Sequence, residues 1–241
     1  MYRKPLSTPQ SSMFSMLIDL INQHHPLVLL ADKINWQQFE DVFSKHYSHR
    51  MGKPSKPIRL MVSLLILKHL RNLSDENIVM HWSENLYYQY FSGCMAFTPD
   101  VPCSSTELVE FRKRIGIEGM ELIFKESIRV NDKDGNDDIL TVDTTVQGKN
   151  ITKAQRKKHS RRTAIEQVIG HLKYDYRLIR NFLKGSIGDS INLLLSAAAF
   201  NFKRVINLWL TEAIHCWQLL LMFIRTAYGN CITLKIEKTT F

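Results

Sequence analysis

Residues 58–70 read IRLMVSLLILKHL and decide the fold of this chain more than any other stretch. Apolar side chains fall on nearly every face of the helix that this stretch predicts, so the helix should be buried. Pro54 and Pro57 mark a linker in front of it, and Pro57 suits a helix start. The sequence therefore predicts a buried helix over Ile58–Leu70.

The segments on both sides of this stretch also predict helices. Apolar positions from Asn35 to Tyr47 recur with a helical period, as an amphipathic helix requires. Ser74 opens another helix that reaches about Trp82, and an aromatic-rich segment follows over Leu86–Phe91. We therefore expect residues 1–130 to form a helical N-terminal domain.

The last predicted helix of this domain begins at a recognisable cap. Ser104 is followed three residues later by Glu107, the spacing of a capping box. The helix continues to the basic run Arg112, Lys113 and Arg114. Two interpretations remain open: a helix-turn-helix that reads DNA, or an ordinary helix in an all-α subdomain.

A second informative stretch, residues 159–173, predicts a helix that carries one acid among cations. At about 100° per residue, Arg162, Glu166 and Lys173 fall within roughly 40° of one another, and His159 lies about 20° beyond. A separate stripe formed by Ile165, Val168 and Leu172 suits burial. One carboxylate beside several cations fits an enzyme that cuts DNA, because the acid can hold Mg²⁺ while the cations grip phosphates.

Positive charge is concentrated around this stretch. The whole chain has a net charge of +9, which favours a polyanionic partner. Residues 147–180 contain ten Lys or Arg, Arg161 among them, against Glu166 and Asp175, a local charge of +8. A solvated surface is the alternative interpretation of such a run.

The pattern resembles the DDE transposases of bacterial insertion sequences. One branch of that family carries its third catalytic acid in a Tyr-x2-Arg-x3-Glu-x6-Lys signature, which Arg162, Glu166 and Lys173 match in spacing, with His159 in place of the Tyr. The segment Ile139–Val146 resembles the strand that bears the first Asp, here Asp143. The resemblance implies a helical domain that recognises transposon ends, followed by an RNase-H-like α/β catalytic domain.

The same resemblance implies roles for individual residues. Asp143 and Glu166 would be catalytic and would hold Mg²⁺, in a two-metal mechanism of DNA cleavage and strand transfer. The DNA contacts would come from the basic residues already named, which are His159, Arg161, Arg162, Lys173, Arg112, Lys113 and Arg114. The DNA would be the terminal inverted repeats of the element.

One departure from the family pattern is decisive for catalysis. The family places a second Asp and several core strands between the first Asp and the Glu, yet Glu166 follows Asp143 by 23 residues with no Asp between them. We therefore expect an internal deletion and an incomplete metal site. The predicted organisation is mainly α: the helical domain 1–130, a remnant of the RNase-H-like domain over 131–210, and a C-terminal helix and tail over 211–241.

Three functional hypotheses follow. The first is an insertion-sequence transposase that is shortened in its catalytic domain and inactive alone. The second is a DNA-binding regulator that occupies transposon ends or pairs with the full-length transposase, and the chain could also form homo-oligomers. The third is a small membrane-associated protein built on Val205–Ile224, although polar residues interrupt that segment and favour a core or interface helix.

The resemblance implies a bacterial, nucleoid-associated protein, and the lack of a secretory signal at the N-terminus predicts a cytoplasmic location. The four cysteines are far apart and lack the spacing of a zinc site, so reduced thiols are expected. Cys231–Ile236 resembles a strand by its residue types, which predicts an extended tail after the long apolar helix over Ile191–Leu210.

Overall fold

A computed structural model describes residues 16–47, 54–131, 166–179 and 185–237, with the side chains of the last segment described as far as Ile224. Several predicted features lie outside these described residues: Asp143, His159, Arg161, Arg162 and the strand over Ile139–Val146. Glu166, Lys173 and the basic run at Arg112–Arg114 lie within them.

Every regular element among the described residues is helical. In chain order the helices are α1 (Leu17–Leu20), α2 (Pro26–Lys33), α3 (Trp36–Phe43), a 3-10 turn over Ser44–His46, α4 (Ile58–Leu70), α5 (Asp75–Glu84), α6 (Leu86–Phe91), α7 (Ser105–Asn131), α8 (166–174) and α9 (Gly185–Glu237). The prediction of a mainly α protein is confirmed.

Helix α4 lies at the centre of the hydrophobic core. Every residue of Ile58–Leu70 except Arg59 is buried, as the all-round apolar pattern predicts. Helices α3, α5, α7 and α9 all pack against it. Its last turn brings two polar side chains, Lys68 and His69, into this interior, where each needs partners.

Side-chain caps fix the ends of the surrounding helices. The capping box predicted at α7 is present: the Glu107 backbone N–H donates to Ser104 Oγ at 3.2 Å, and the Ser104 N–H donates to Glu107 Oε2 at 2.9 Å. Ser74 and Asn35 cap α5 and α3 in the same manner, each accepting a backbone N–H. These contacts place the helix starts within a residue of the predicted positions.

Helix α7 is kinked at Gly116, which has φ +61° and ψ −159°. Only glycine adopts that region of backbone space without strain. The loop before α7, residues 92–104, is much longer than the three or four residues of a helix-turn-helix. The α6–α7 pair is therefore part of an ordinary helical subdomain in this structure.

The two halves of α9 differ sharply in burial. Between Gly185 and Ile206 one face is buried, mainly against α7, and further contacts join it to α4 and α2. From residue 207 to 224 no side chain is buried, and Phe223 is 72% exposed. A core or interface helix was expected for Val205–Ile224; Val205 and Ile206 lie in the core, and the interface alternative for the rest stays a prediction.

The tail predicted as extended at Cys231–Ile236 is helical instead, since α9 continues to Glu237. The local preference of β-branched residues for strands is weak and yields to the continuing helix. Among the described residues one helix, Gly185–Ile224, is long and apolar enough to cross a membrane by length and composition, a test that core helices also pass.

No RNase-H-like sheet is seen in the described part of the chain. Residues 166–179 and 185–210, assigned to that domain from the sequence, are mainly helical where described. Their buried side chains, such as Leu172, Tyr176 and Phe202, join the same hydrophobic core as α4 rather than covering a sheet. The helices on the two sides of the predicted boundary at residue 130 therefore pack on one another.

Candidate nucleic-acid interface

Helix α8 carries an acidic and a basic side chain on one exposed surface. Glu166 and Lys173 are seven residues apart, which separates them by roughly 20° around a helix. Both are exposed, whereas Leu172 on the opposite stripe is 8% exposed. His159 and Arg162, which would complete the predicted face, lie outside the described residues.

The chain that leaves α8 is held against the end of α4 by hydrogen bonds. Asn72 Nδ2 donates to the Tyr174 carbonyl at 2.9 Å, and Arg177 Nη1 donates to the Asn72 carbonyl at 3.2 Å. Both Asn72 and Arg177 have positive φ, +55° and +65°. Non-glycine residues keep that conformation only where surrounding contacts impose it.

Helix α9 holds the same segment from the other side. Ser196 Oγ lies 2.8 Å from the Tyr176 carbonyl oxygen and 2.7 Å from the Asn192 carbonyl oxygen of its own helix, and its single proton can be donated to either. Asn192 Nδ2 donates to the Leu178 carbonyl at 2.9 Å. Ser196 and Asn192 are both buried. We name residues 174–178, together with Asn72 after the end of α4 and with Asn192 and Ser196 on α9, the polar clamp. The clamp fixes α8 to the helical core.

His69 completes the clamp from α4. Its Nδ1 lies 3.2 Å from the Tyr176 carbonyl oxygen, which can only accept, so the proton of the neutral ring is on Nδ1. Burial, together with the positive charge of Lys68, lowers the pKa of His69 to about 3. The ring is therefore uncharged at neutral pH and serves as a hydrogen-bond donor.

An ion-pair cluster lies beside the clamp. Arg112 donates to both carboxylate oxygens of Asp75, at 3.0 and 2.7 Å, and Lys68 Nζ lies 2.9 Å from the same carboxylate. Burial and the charge of Arg112 lower the pKa of Lys68 to about 8. Burial opposes ionisation of Asp75, but the Arg112 and Lys68 contacts outweigh it and lower the Asp75 pKa.

Comparison with known proteins relates the N-terminal helices of this core to a protein family. Residues 15–114, from before α1 to the first half of α7, match the family described as "Transposase domain (DUF772)". A relative from Rhizobium meliloti, "Uncharacterized protein ORF8 in nfe locus", is 37% identical over 151 residues, which are 60% of this chain and 72% of the relative. The chain belongs to this transposase-domain family. No solved structure matches it.

The basic run in the transposase domain is divided between interior and surface. Arg112 is 3% exposed and committed to Asp75, so its placement does not fit the predicted contact with DNA. Lys113 and Arg114 are exposed, and the Arg114 guanidinium lies 4.7 Å above the Tyr47 ring. The period of the helix explains the division, because adjacent residues point about 100° apart.

The predicted magnesium ligands are not brought together by the described residues. No group of three His, Cys, Asp or Glu side chains that could hold a metal ion occurs in the ranges that the structure describes. Glu166 is exposed on α8, and Asp143 lies outside those ranges. The one nearby acid on the same segment, Asp175, is 2.7 Å from His171 Nδ1.

Sequence reasoning missed the polar clamp. His69 and Ser196 are 127 residues apart, and Asn72 and Arg177 are 105 apart. Lys68 and His69 at the end of an otherwise apolar helix were the available signal, since buried polar side chains need partners. Lys68 pairs with Asp75 seven residues along the chain, but the partners of His69 could not be found without the long-range packing of α8 and α9.

Proposed function

We propose that this protein derives from a DDE-type insertion-sequence transposase, binds the terminal inverted repeats of its element, and is defective in strand cleavage and transfer. The match of residues 15–114 to a transposase domain carries the proposal. The net charge of +9 supports a DNA partner. On this proposal the protein acts in the bacterial cytoplasm, associated with the nucleoid.

The proposed DNA contacts use the exposed basic residues. Lys113 and Arg114 on α7 and Lys173 on α8 supply positive charge at described surfaces. His159, Arg161 and Arg162 would extend the α8 face. Contacts of this kind go to phosphates, so binding should be strongly salt-dependent and position the protein more than they read sequence.

The proposed catalytic defect rests on the missing second Asp. Asp143 and Glu166 would be the retained ligands for Mg²⁺, a hard cation that takes oxygen ligands. No Asp stands between them in the sequence, so the second Asp of the family's three-carboxylate site is missing. Since positioned charge supplies most of the rate in such sites, the loss of one ligand should abolish most activity.

Two assays test the proposal. Fluorescence anisotropy should show tighter binding to a duplex carrying the element's terminal repeat than to a scrambled duplex of equal length. A strand-transfer assay with Mg²⁺ or Mn²⁺ should yield no product above background. Product that disappears in an Asp143→Ala variant would disprove the catalytic defect, and equal binding to both duplexes would disprove end recognition.

A second candidate function is inhibition of the full-length transposase. The retention of the transposase domain beside an interval that lacks the second Asp favours it, because such a chain could occupy ends without cutting them. Adding increasing amounts of this protein to an active full-length relative should then lower strand transfer in proportion to end occupancy. Unchanged transfer at saturating occupancy of the ends would exclude this role.

A further inference from the structure

A groove with two cations on its walls lies between Tyr176 and the following part of α9. It encloses about 250 Å³ and is lined by Tyr176 from the clamp and by six residues of α9, namely Phe200, Lys203, Arg204, Asn207, Leu208 and Thr211. These α9 positions are spaced by three and four residues, so they form one face of the helix. At 1.5 Å per residue the face is roughly 16 Å long.

The groove offers hydrogen-bond donors and positive charge. Lys203 has an ammonium group, Arg204 a guanidinium group and Asn207 a side-chain amide, and none of the lining residues has a carboxylate. Thr211 is not a free donor, because its Oγ1 donates to the Asn207 carbonyl at 2.8 Å. Leu208 and Phe200 supply apolar surface between the polar groups.

The wall formed by Tyr176 is rigid and uncharged. Its ring packs edge-on against Phe200, with centroids 5.8 Å apart and an interplanar angle of 80°. Burial and the nearby charge of Asp175 raise the pKa of Tyr176 to about 12, so the phenol stays neutral. Its carbonyl lies within hydrogen-bond distance of Ser196 Oγ on α9 and of His69 Nδ1 on α4.

Two acids lie near the groove. Asp175 follows the helix α8 and is 2.7 Å from the ring of His171. Glu212 is exposed on α9, one residue beyond Thr211. Neither lines the groove, and its lining includes two cationic side chains, Lys203 and Arg204.

We propose that this groove contacts the phosphodiester backbone of DNA. A guanidinium group can bind a phosphate through two parallel hydrogen bonds, and an ammonium group can neutralise one as a point charge. The Asn207 amide adds a neutral donor, and the apolar residues suit the sugar edge. This inference rests on the proposed DNA-binding function and adds a contact surface outside the transposase domain.

The test compares two double variants of the full-length chain that lose the same charge. In the groove variant Lys203→Gln and Arg204→Gln are combined. The control combines Lys45→Gln and Lys125→Gln, two exposed lysines remote in sequence from α9. Binding to a short duplex is measured by fluorescence anisotropy over a series of salt concentrations, and thermal unfolding checks that each variant is folded.

The expected result is specific to the groove. Each lost phosphate contact lowers the magnitude of the slope of log K against log salt by about 0.9. The groove variant should therefore lose close to two units of slope and roughly tenfold or more of its affinity at low salt. The control variant should bind as the wild type does.

The groove proposal and the proposed function fail in different ways. If wild type and groove variant bind DNA with the same slope and affinity, the groove proposal is wrong and the DNA-binding function stands. If the groove variant and the control variant lose the same affinity, binding depends only on net charge and the groove proposal is again wrong. If the wild type binds no DNA even at low salt, both proposals fall. An Asn207→Ala variant provides a charge-neutral check, and it should weaken binding without changing the slope.

Discussion

The second half of α9 is the more apolar, with 13 of 18 residues apolar in 207–224 against 12 of 22 in 185–206, and yet it is the exposed half. Residues 185–206 bury Ile191, Leu195 and Phe202 in the core shared with α4 and α7. Residues 207–224 leave Trp217 and Phe223 exposed by 62% and 72%. Apolar composition therefore does not determine burial in this chain. Burial requires a complementary face, and among the described residues only the first half of α9 has one.

The largest test of this difference replaces one phenylalanine in each half by alanine. Phe202 is fully buried, so Phe202→Ala should lower the free energy of unfolding by about 3–5 kcal/mol. Phe223→Ala is the matched control, and it should change that free energy by less than about 0.5 kcal/mol. Chemical denaturation of both variants measures the contrast. Equal losses would mean that the second half is buried in solution.

The pH dependence of stability should report the burial of His69, the α4 residue that joins the polar clamp. His69 has a pKa of about 3 in the folded protein, lowered by burial and by the charges of Lys68, Arg112 and Arg177, although its contact with the Tyr176 carbonyl opposes the shift. The unfolded chain, with an ordinary histidine pKa near 6.5, then binds one more proton between these values. Stability should therefore fall as pH decreases below about 6.5, by up to about 1.4 kcal/mol per pH unit.

A His69→Gln variant isolates this effect, because the amide can still donate a hydrogen bond but does not titrate. Denaturation midpoints at pH values above 4.5, where Asp75 remains ionised, should fall less steeply for the variant than for the wild type. His25 contributes a slope of the same sign, since burial also lowers its pKa, but that slope is common to both proteins. Parallel profiles would show that His69 is accessible to protons in the folded state.

A smaller effect is expected from removing one hydroxyl in each half of α9. Ser196→Ala should cost about 0.5–1.5 kcal/mol, because it removes one hydrogen bond from the buried carbonyl of Tyr176, which keeps its contact with His69. Thr211→Ala is the matched control: its hydroxyl bonds within the exposed helix to the Asn207 carbonyl, so its loss should be nearly neutral. The same denaturation measurement applies, and a neutral Ser196→Ala would remove the clamp as a stabilising feature.

How much of the structure could be predicted differs between regions, because local sequence patterns encode some features and long-range packing decides others. The limits of α4 and the capping box of α7 were predicted because all-round apolarity and the Ser104–Glu107 pair are local signals. The clamp between His69 and Ser196 depends on contacts across 127 residues, which no local pattern encodes. Helix α9 past residue 230 was wrongly expected to be extended, because β-branched residues favour strands only weakly.

The candidate site was predictable to a similar, partial extent. Helical period placed Glu166 and Lys173 together, and the structure leaves both exposed. The same rule could not tell that Arg112 would turn inward to Asp75 while Lys113 remained outside. That choice depends on where the partner carboxylate lies, which only the packing of α5 against α7 decides. The groove on α9 was missed because its residues lie between the buried and the exposed faces of the helix: Phe200 and Lys203 are partly buried, whereas Arg204 is exposed.

The smallest expected effect is the most informative about the exposed half of α9. Trp217→Gln and Leu221→Gln together replace two side chains that are 62% and 49% exposed, so the free energy of unfolding should change by less than about 1 kcal/mol. A larger loss would mean that these side chains are covered in solution. Repeating the measurement at several protein concentrations distinguishes the causes, because a loss that grows with concentration identifies contacts between copies of the chain, whereas a constant loss identifies contacts within one chain.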